Sequence, residues 1–118
     1  TTPVASPPPC PPACPVATAA RIVEGKWTTL IVRELLGGCK RFSELQRALP
    51  GISAKVLTER LKLLEEHHLL SKRTYACIPP KTEYSLTALG MDLQQVIQAM
   101  ASFGTALQQA AAGQRDQA

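Results

Sequence analysis

Apolar positions recur along this chain first at helical spacing, then at strand spacing, then at helical spacing again. In PVATAARIVEG, from Pro15, Ile22 and Val23 with Ala19 form an inner side. Proline suits the first helical position, and Gly25 ends the run. In KWTTLIVRELLGG, Trp27, Leu30, Ile31 and Leu35 fall on one helical face, and Gly37-Gly38 stop it. RFSELQRALPG predicts a third helix, with Phe42, Leu45 and Leu49 inward, Ser43 near its start and Pro50-Gly51 at its end. Ser53 is a good N-cap for a fourth helix running to about His68. On it Leu57, Leu61 and Leu64 cluster opposite Lys55, Thr58, Glu59, Lys62 and Glu66. Only PGIS separates helices three and four, which is helix-turn-helix spacing.

The period then changes. LLSKRTYAC and KTEYSL alternate as strands, with Tyr84 and Leu86 on one face and a turn forced by IPP between them. A hairpin after a helix-turn-helix is a wing, with Lys72, Arg73 and Lys81 available to face outward. Thr87 can cap a last helix carrying a long apolar stripe: Leu89, Leu93, Val96, Ile97, Met100, Phe103 and Leu107. A stripe of that length exceeds what a small helical head can cover, so it predicts a homodimer interface. Folding of the stripe back onto its own domain is the alternative. The expected fold is mainly α with a small β-hairpin (α+β): a winged helix-turn-helix with a long C-terminal dimerisation helix. Residues 1–14 are expected as a Pro-rich flexible tail, 15–112 as the winged helix-turn-helix domain with terminal dimerisation helices, and 113–118 as a disordered tail.

Composition narrows the function. The 118 residues fit one domain, and 45% are apolar, with no run near the roughly 18 that a spanning helix needs. No basic-then-apolar leader is visible, and the expected compartment is the cytoplasm. The net charge of +4 is concentrated in the middle, where nine basic residues from Lys40 to Lys81 face four glutamates. The rest of the chain has four basic residues and five acidic ones. A basic centre between near-neutral ends is the footprint of a polyanion binder; a solvated basic surface is the plainer reading. A duplex admits a helix into its major groove, where polar side chains reach base edges. Ser53, Lys55, Thr58, Glu59 and Lys62 are the outward groups of the fourth helix. Arg60 lies at its flank, suited to the DNA backbone or to pairing with a glutamate. The basic wing can lie along phosphates or the minor groove.

Several ordered motifs make this pattern specific: GKWT, RFSELQRALPGIS, KVLTERL and EYSLTALG. From about Cys14 to Gly104 the sequence resembles the HxlR-type winged helix-turn-helix transcriptional regulators of prokaryotes. The resemblance implies a DNA-binding homodimer joined through terminal helices, with Ser53 to Lys62 as the recognition segment and Lys72 to Lys81 as the wing. Trp27 is expected in the core. Some members of that family sense electrophiles or oxidants through a cysteine just before the first helix, the position of Cys14. Independently, a thiol at a helix N-terminus is biased towards thiolate and so towards oxidation. A buried small residue under the tail is the alternative. Cys10 could act as a resolving thiol or be incidental, while Cys39 and Cys77 read as plain thiols.

The four cysteines lack paired Cys-x-x-Cys spacing, and His67 and His68 do not face one way, so no metal and no cofactor is expected. EGKW lacks the glycine spacing of a phosphate loop, and no catalytic triad or carboxylate pair is suggested, so an enzyme is not expected. The expected partners are an operator in double-stranded DNA, a second copy of the chain, and an oxidant or small-molecule effector, with no membrane. Two alternatives stand beside this reading: a winged-helix module that binds protein, and a regulator that senses a small apolar ligand rather than redox state.

Overall fold

The computed structural model describes residues 14–117, with side chains through residue 114. Two helices, α1 (Pro15–Val23) and α2 (Lys26–Leu35), lead into a two-residue strand β1 (Lys40–Arg41). The helix-turn-helix follows as α3 (Phe42–Ala48) and α4 (Ala54–Glu66), then the wing strands β2 (Leu70–Tyr75) and β3 (Lys81–Leu86). A short α5 (Ala88–Met91) precedes the long α6 (Leu93–Gln117). The molecule is a winged helix-turn-helix with a long C-terminal helix, as the periodicities predict. Among the described residues no helix is long and apolar enough to cross a membrane.

Aliphatic side chains dominate the centre, with Thr28 and Thr29 of α2 also buried. Ile31, Val32 and Leu35 of α2 meet Leu45 and Leu49, then Ile52, and then Leu57, Leu61 and Leu64 of α4, with Leu69 and Leu70 closing the end. Each such side chain contributes about 1.5–3 kcal/mol on leaving water. Trp27 and Phe42 are half-buried against this cluster rather than inside it. Ala19, expected inward, is exposed on α1, whereas Ile22 packs on the core.

Beyond Ala19, the secondary structure departs from the sequence reading in three places. The wing is a three-stranded antiparallel sheet of order β1-β3-β2, because Lys40 pairs with Tyr84 and Arg41 with Glu83. Two residues are too few for an alternation to be read. The terminal helix is interrupted at Asp92: Thr87 caps only α5, and Leu93 begins a separate helix. In the other direction, α6 continues through Gln117, past the expected boundary at 112. Ala110, Ala111 and Ala112 are strong helix formers, and one glycine at 113 costs only about 1 kcal/mol.

The junction of α4, β2 and α5 is held by a compact set of hydrogen bonds. The helix α4 ends in a Schellman arrangement: Leu69 N–H donates to the Leu64 carbonyl at 3.0 Å and His68 N–H to the Glu65 carbonyl at 3.0 Å. His68 takes the left-handed position (φ 60°) that glycine usually fills. Its carbonyl then accepts from Thr87 Oγ1 at 2.7 Å, while Thr87 Oγ1 accepts from Gly90 N–H at 3.0 Å. Thr87 N–H donates to the Leu69 carbonyl at 3.0 Å. Gly90 is buried directly against that same carbonyl, where a Cβ would collide with the oxygen and press on Leu86 Cδ2 at 3.2 Å.

Gly90→Ala is therefore expected to lower the unfolding free energy by about 1–3 kcal/mol or more. Gly113→Ala, whose Cβ meets nothing within 4 Å, should be neutral or slightly stabilising. Urea denaturation of the two variants measures the contrast.

Candidate nucleic-acid interface

The turn between α3 and α4 sets how the fourth helix is presented. Gly51 has φ 94°, which a side chain would strain, and Ile52 N–H donates to the Leu49 carbonyl at 3.1 Å. Ile52 anchors the turn in the core at 6% exposure. Ser53 Oγ then accepts from Val56 N–H at 3.1 Å, satisfying one of the free donors of the first turn. From that cap the helix sorts its residues cleanly. Leu57 and Leu64 are fully buried and Leu61 nearly so, whereas Ser53, Lys55, Thr58, Glu59 and Lys62 are exposed. Arg60 is half-buried at the flank. Among the described residues no carboxylate lies within ion-pair distance of Lys55 or Lys62; the one ion pair there, Arg33 with Glu34, is on α2.

The wing cations do not form one strip. In the ladder Lys72 opposes Tyr84, on the face whose Tyr84 packs against the core, and Arg73 opposes Glu83 on the other face. Arg73 and Lys81 flank the Tyr75 ring, at 5.1 Å and 5.7 Å from its centroid. Lys72 and Arg73 are exposed and Lys81 is half-buried. Glu83 sits among these groups and accepts a hydrogen bond from the Tyr75 hydroxyl, which is the main reason that phenol is pushed up. Desolvation first, and the Glu83 carboxylate second, push the Cys39 thiol up as well, so Cys39 stays protonated. Cys39 and Cys77 are free and exposed, and the Cys77 thiol donates to the Pro79 carbonyl at 3.2 Å.

Cys14 is the N-cap residue of α1, half-buried, and is disulfide-bonded. Neither Cys39 nor Cys77 is its partner. The expected tail of residues 1–13, Cys10 included, lies outside the described residues.

The stripe expected at the dimer interface divides in two. Leu93 and Ile97 pack on the core of their own chain, where α6 meets α2, and Val96 is half-buried. Leu89 lies on α5 instead, at 55% exposure. Met100, Phe103 and Leu107 stand at 44%, 66% and 55% exposure along α6, left uncovered by the described residues. Arg41, like Lys40 and Arg47, is counted in the basic centre by the sequence reading without being given a role. The pairing of β1 with β3 brings it beside the wing tip, and no periodicity announces a two-residue strand. Its backbone N–H donates to Glu44 Oε1 at 2.8 Å, which caps α3 and, before any other cause, holds the Glu44 carboxyl below its usual range. Ser43, expected near the start of this helix, is its second residue.

A family model described as HxlR-like helix-turn-helix matches residues 22–112. An uncharacterised HTH-type transcriptional regulator of Synechocystis is 44% identical over 100 residues, which cover 82% of this chain and 74% of the relative. A crystal structure described as a MarR-family transcriptional regulator from Porphyromonas gingivalis superposes with a TM-score of 0.76 at 42% identity, covering 80% of this chain and 92% of the other. The redox regulator HypR in its reduced form superposes with a TM-score of 0.78 at 31% identity, covering 84% and 98%.

Loss of the Ser53 cap is expected to matter to the helix before it matters to any ligand. Ser53→Ala should lower stability by about 1 kcal/mol, and Ser53→Asn, which keeps a capping oxygen, should restore most of it. Thermal unfolding followed by circular dichroism reads both.

Proposed function

This chain belongs to the HxlR-like helix-turn-helix family, and from that membership we propose that it is a sequence-specific transcriptional regulator. In this reading it binds operator DNA as a homodimer and responds to oxidants or electrophiles through Cys14. The observation that carries the DNA-binding part is the sorting of α4. Leu57, Leu61 and Leu64 are spent on the core, while Lys55, Thr58, Glu59 and Lys62 are exposed on the opposite face with no ion pair among the described residues. In a major groove the lysines can reach phosphates or a guanine edge, Thr58 either bases or phosphates, and Glu59 the amino group of a cytosine. Ser53 adds a hydroxyl near the backbone, and Arg60 reaches it from the flank. Lys72, Arg73 and Lys81 of the wing contact neighbouring phosphates, which position the protein without reading sequence. Such a protein works in the cytoplasm, where bacterial and archaeal DNA lies.

Dimerisation follows from the uncovered part of α6. Met100, Phe103 and Leu107 form an apolar row that a second copy covers by symmetry, with Leu89 and Val96 at its margin. Leu93 and Ile97 then join the interface to the head that carries α4. Two recognition helices in one dimer read half-sites about one helical turn, roughly 34 Å, apart.

Cys14 supplies the control. Placed at the N-terminus of α1, its thiolate is stabilised by the helix dipole. A peroxide converts that thiolate to a sulfenic acid with release of hydroxide, and a second thiol then displaces water to form a disulfide. The disulfide at Cys14 and the likeness to a redox regulator support this assignment. Oxidation there shifts α1 against α2 and so alters the spacing of the two recognition helices.

Selection of bound sequences from random duplex DNA, with reduced and with oxidised protein, tests the whole reading. Lys55→Ala or Thr58→Ala should change base preference by about 1–3 kcal/mol at the positions they read. Lys72→Ala or Arg73→Ala should weaken all sequences alike. Affinity should fall about 10³–10⁵-fold between 50 and 200 mM salt for a dimer touching six to ten phosphates. Wing variants that re-aim the preference, with helix variants that do not, would reverse the assignment. In a separate measurement, Cys14→Ser should abolish the effect of peroxide or diamide on operator binding; an unchanged response removes Cys14 from the mechanism.

A further inference from the structure

The wing tip and the start of α3 face each other across a cleft of about 550 Å³. Its polar lining comes from both walls: Arg41 and Ser43 on the β1–α3 side, Lys81 and Thr82 on the wing side. Between them lie the apolar surfaces of Phe42, Ile78 and Pro79. No acidic residue lines it. Arg41 is exposed, and among the described residues its side chain forms no ion pair. The Arg41 backbone N–H donates to Glu44, whose carboxylate also feels the guanidinium's charge, and Arg41 stands opposite Glu83 in the ladder. Ile78 stands fully exposed at the tip, at 101% of its reference area.

We infer that this cleft grips the sugar–phosphate backbone of the duplex beside the half-site, with Arg41 contacting a phosphate from one wall and Lys81 from the other. A nucleic-acid strand alternates an anionic phosphate with the apolar edge of a deoxyribose. The cleft offers the matching alternation of cations and hydroxyls with Phe42, Ile78 and Pro79. Most of its lining residues are exposed, so it is a trough in which a continuous strand can lie, unlike the enclosed sites that bury most of a small ligand. The trough and the recognition helix share one support. β3 pairs with β1 at the start of α3 and with β2, which packs against α4, so the cleft is held in fixed register to the recognition helix. Arg41 thereby becomes a positioning contact that adds affinity and carries no base information. This inference rests on the DNA-binding reading above.

The test uses the full chain and a duplex selected by the wild-type protein. Arg41→Ala should weaken binding about tenfold at moderate salt, the worth of one charge-assisted hydrogen bond. It should also reduce the salt slope by about one per protomer and leave base preference and thermal unfolding unchanged. Arg41→Lys should recover part of the loss. Duplexes in which the phosphates flanking the half-site are replaced by neutral methylphosphonates give the decisive comparison. On them Arg41→Ala should cost almost nothing further, because the two changes remove the same contact. Wild-type affinity in Arg41→Ala, or a full tenfold loss on the neutral duplex too, overturns the assignment while leaving the DNA-binding reading in place. Wild-type protein that binds no duplex overturns both.

Discussion

One threonine sets the geometry on which the rest depends. Thr87 accepts from Gly90 N–H, donates through its hydroxyl to the His68 carbonyl, and donates through its backbone to the Leu69 carbonyl. These bonds fasten the end of α4, the first residue before β2 and the root of the C-terminal helices at a single point. Gly90 completes the fastening by close approach, since only a residue without Cβ lets α5 lie on the Leu69 carbonyl. The root of the C-terminal helices is therefore fixed by these hydrogen bonds and one glycine, together with the packing of Leu93 and Ile97 on the core. A core of eleven aliphatic side chains then holds both ends of α4 in place.

That rigidity gives the exposed face of α4 its meaning. A helix with a satisfied N-cap, a Schellman end and fully buried inner leucines has little freedom to rotate. Its outward side chains are consequently displayed at fixed spacing. A groove-reading surface requires that property, because base discrimination depends on hydrogen bonds formed within a few tenths of an ångström. The wing is organised differently. Arg73 and Lys81 are stacked on Tyr75 with Glu83 close by, so its charge is moderated as well as ordered. Moderated charge suits contacts that add affinity at many sequences.

The C-terminal helix joins the two scales of the molecule. Its first turns belong to the monomer core through Leu93 and Ile97, and its later turns offer Met100, Phe103 and Leu107 to solvent. One continuous helix thus runs from a packed head to an uncovered apolar row. Any partner seated on that row is coupled mechanically to the junction at Thr87, and through it to α4. Cys14, at the N-cap of α1, is joined to the rest of the domain through the packing of α1 on α2.

Much of this protein is legible in its sequence because local physics determines it. Helical periodicity located the helices from Pro15 to Glu66. Ser53 marked the start of α4, and the alternation from Leu70 to Leu86 marked the wing strands. The outward placement of Lys55, Thr58, Glu59 and Lys62 followed from the same wheel that buried Leu57, Leu61 and Leu64. What depends on contact between distant segments could not be read that way. A strand of two residues exists only because β3 pairs with it, and it alone brings Arg41 to the wing tip. The break at Asp92 exists because Gly90 is pinned to Leu69 while α6 follows α2. The apolar stripe was visible as a whole, but only the packing of the head decided which residues it keeps and which it leaves uncovered. Periodicity records which side of an element is apolar; tertiary structure decides what that side meets.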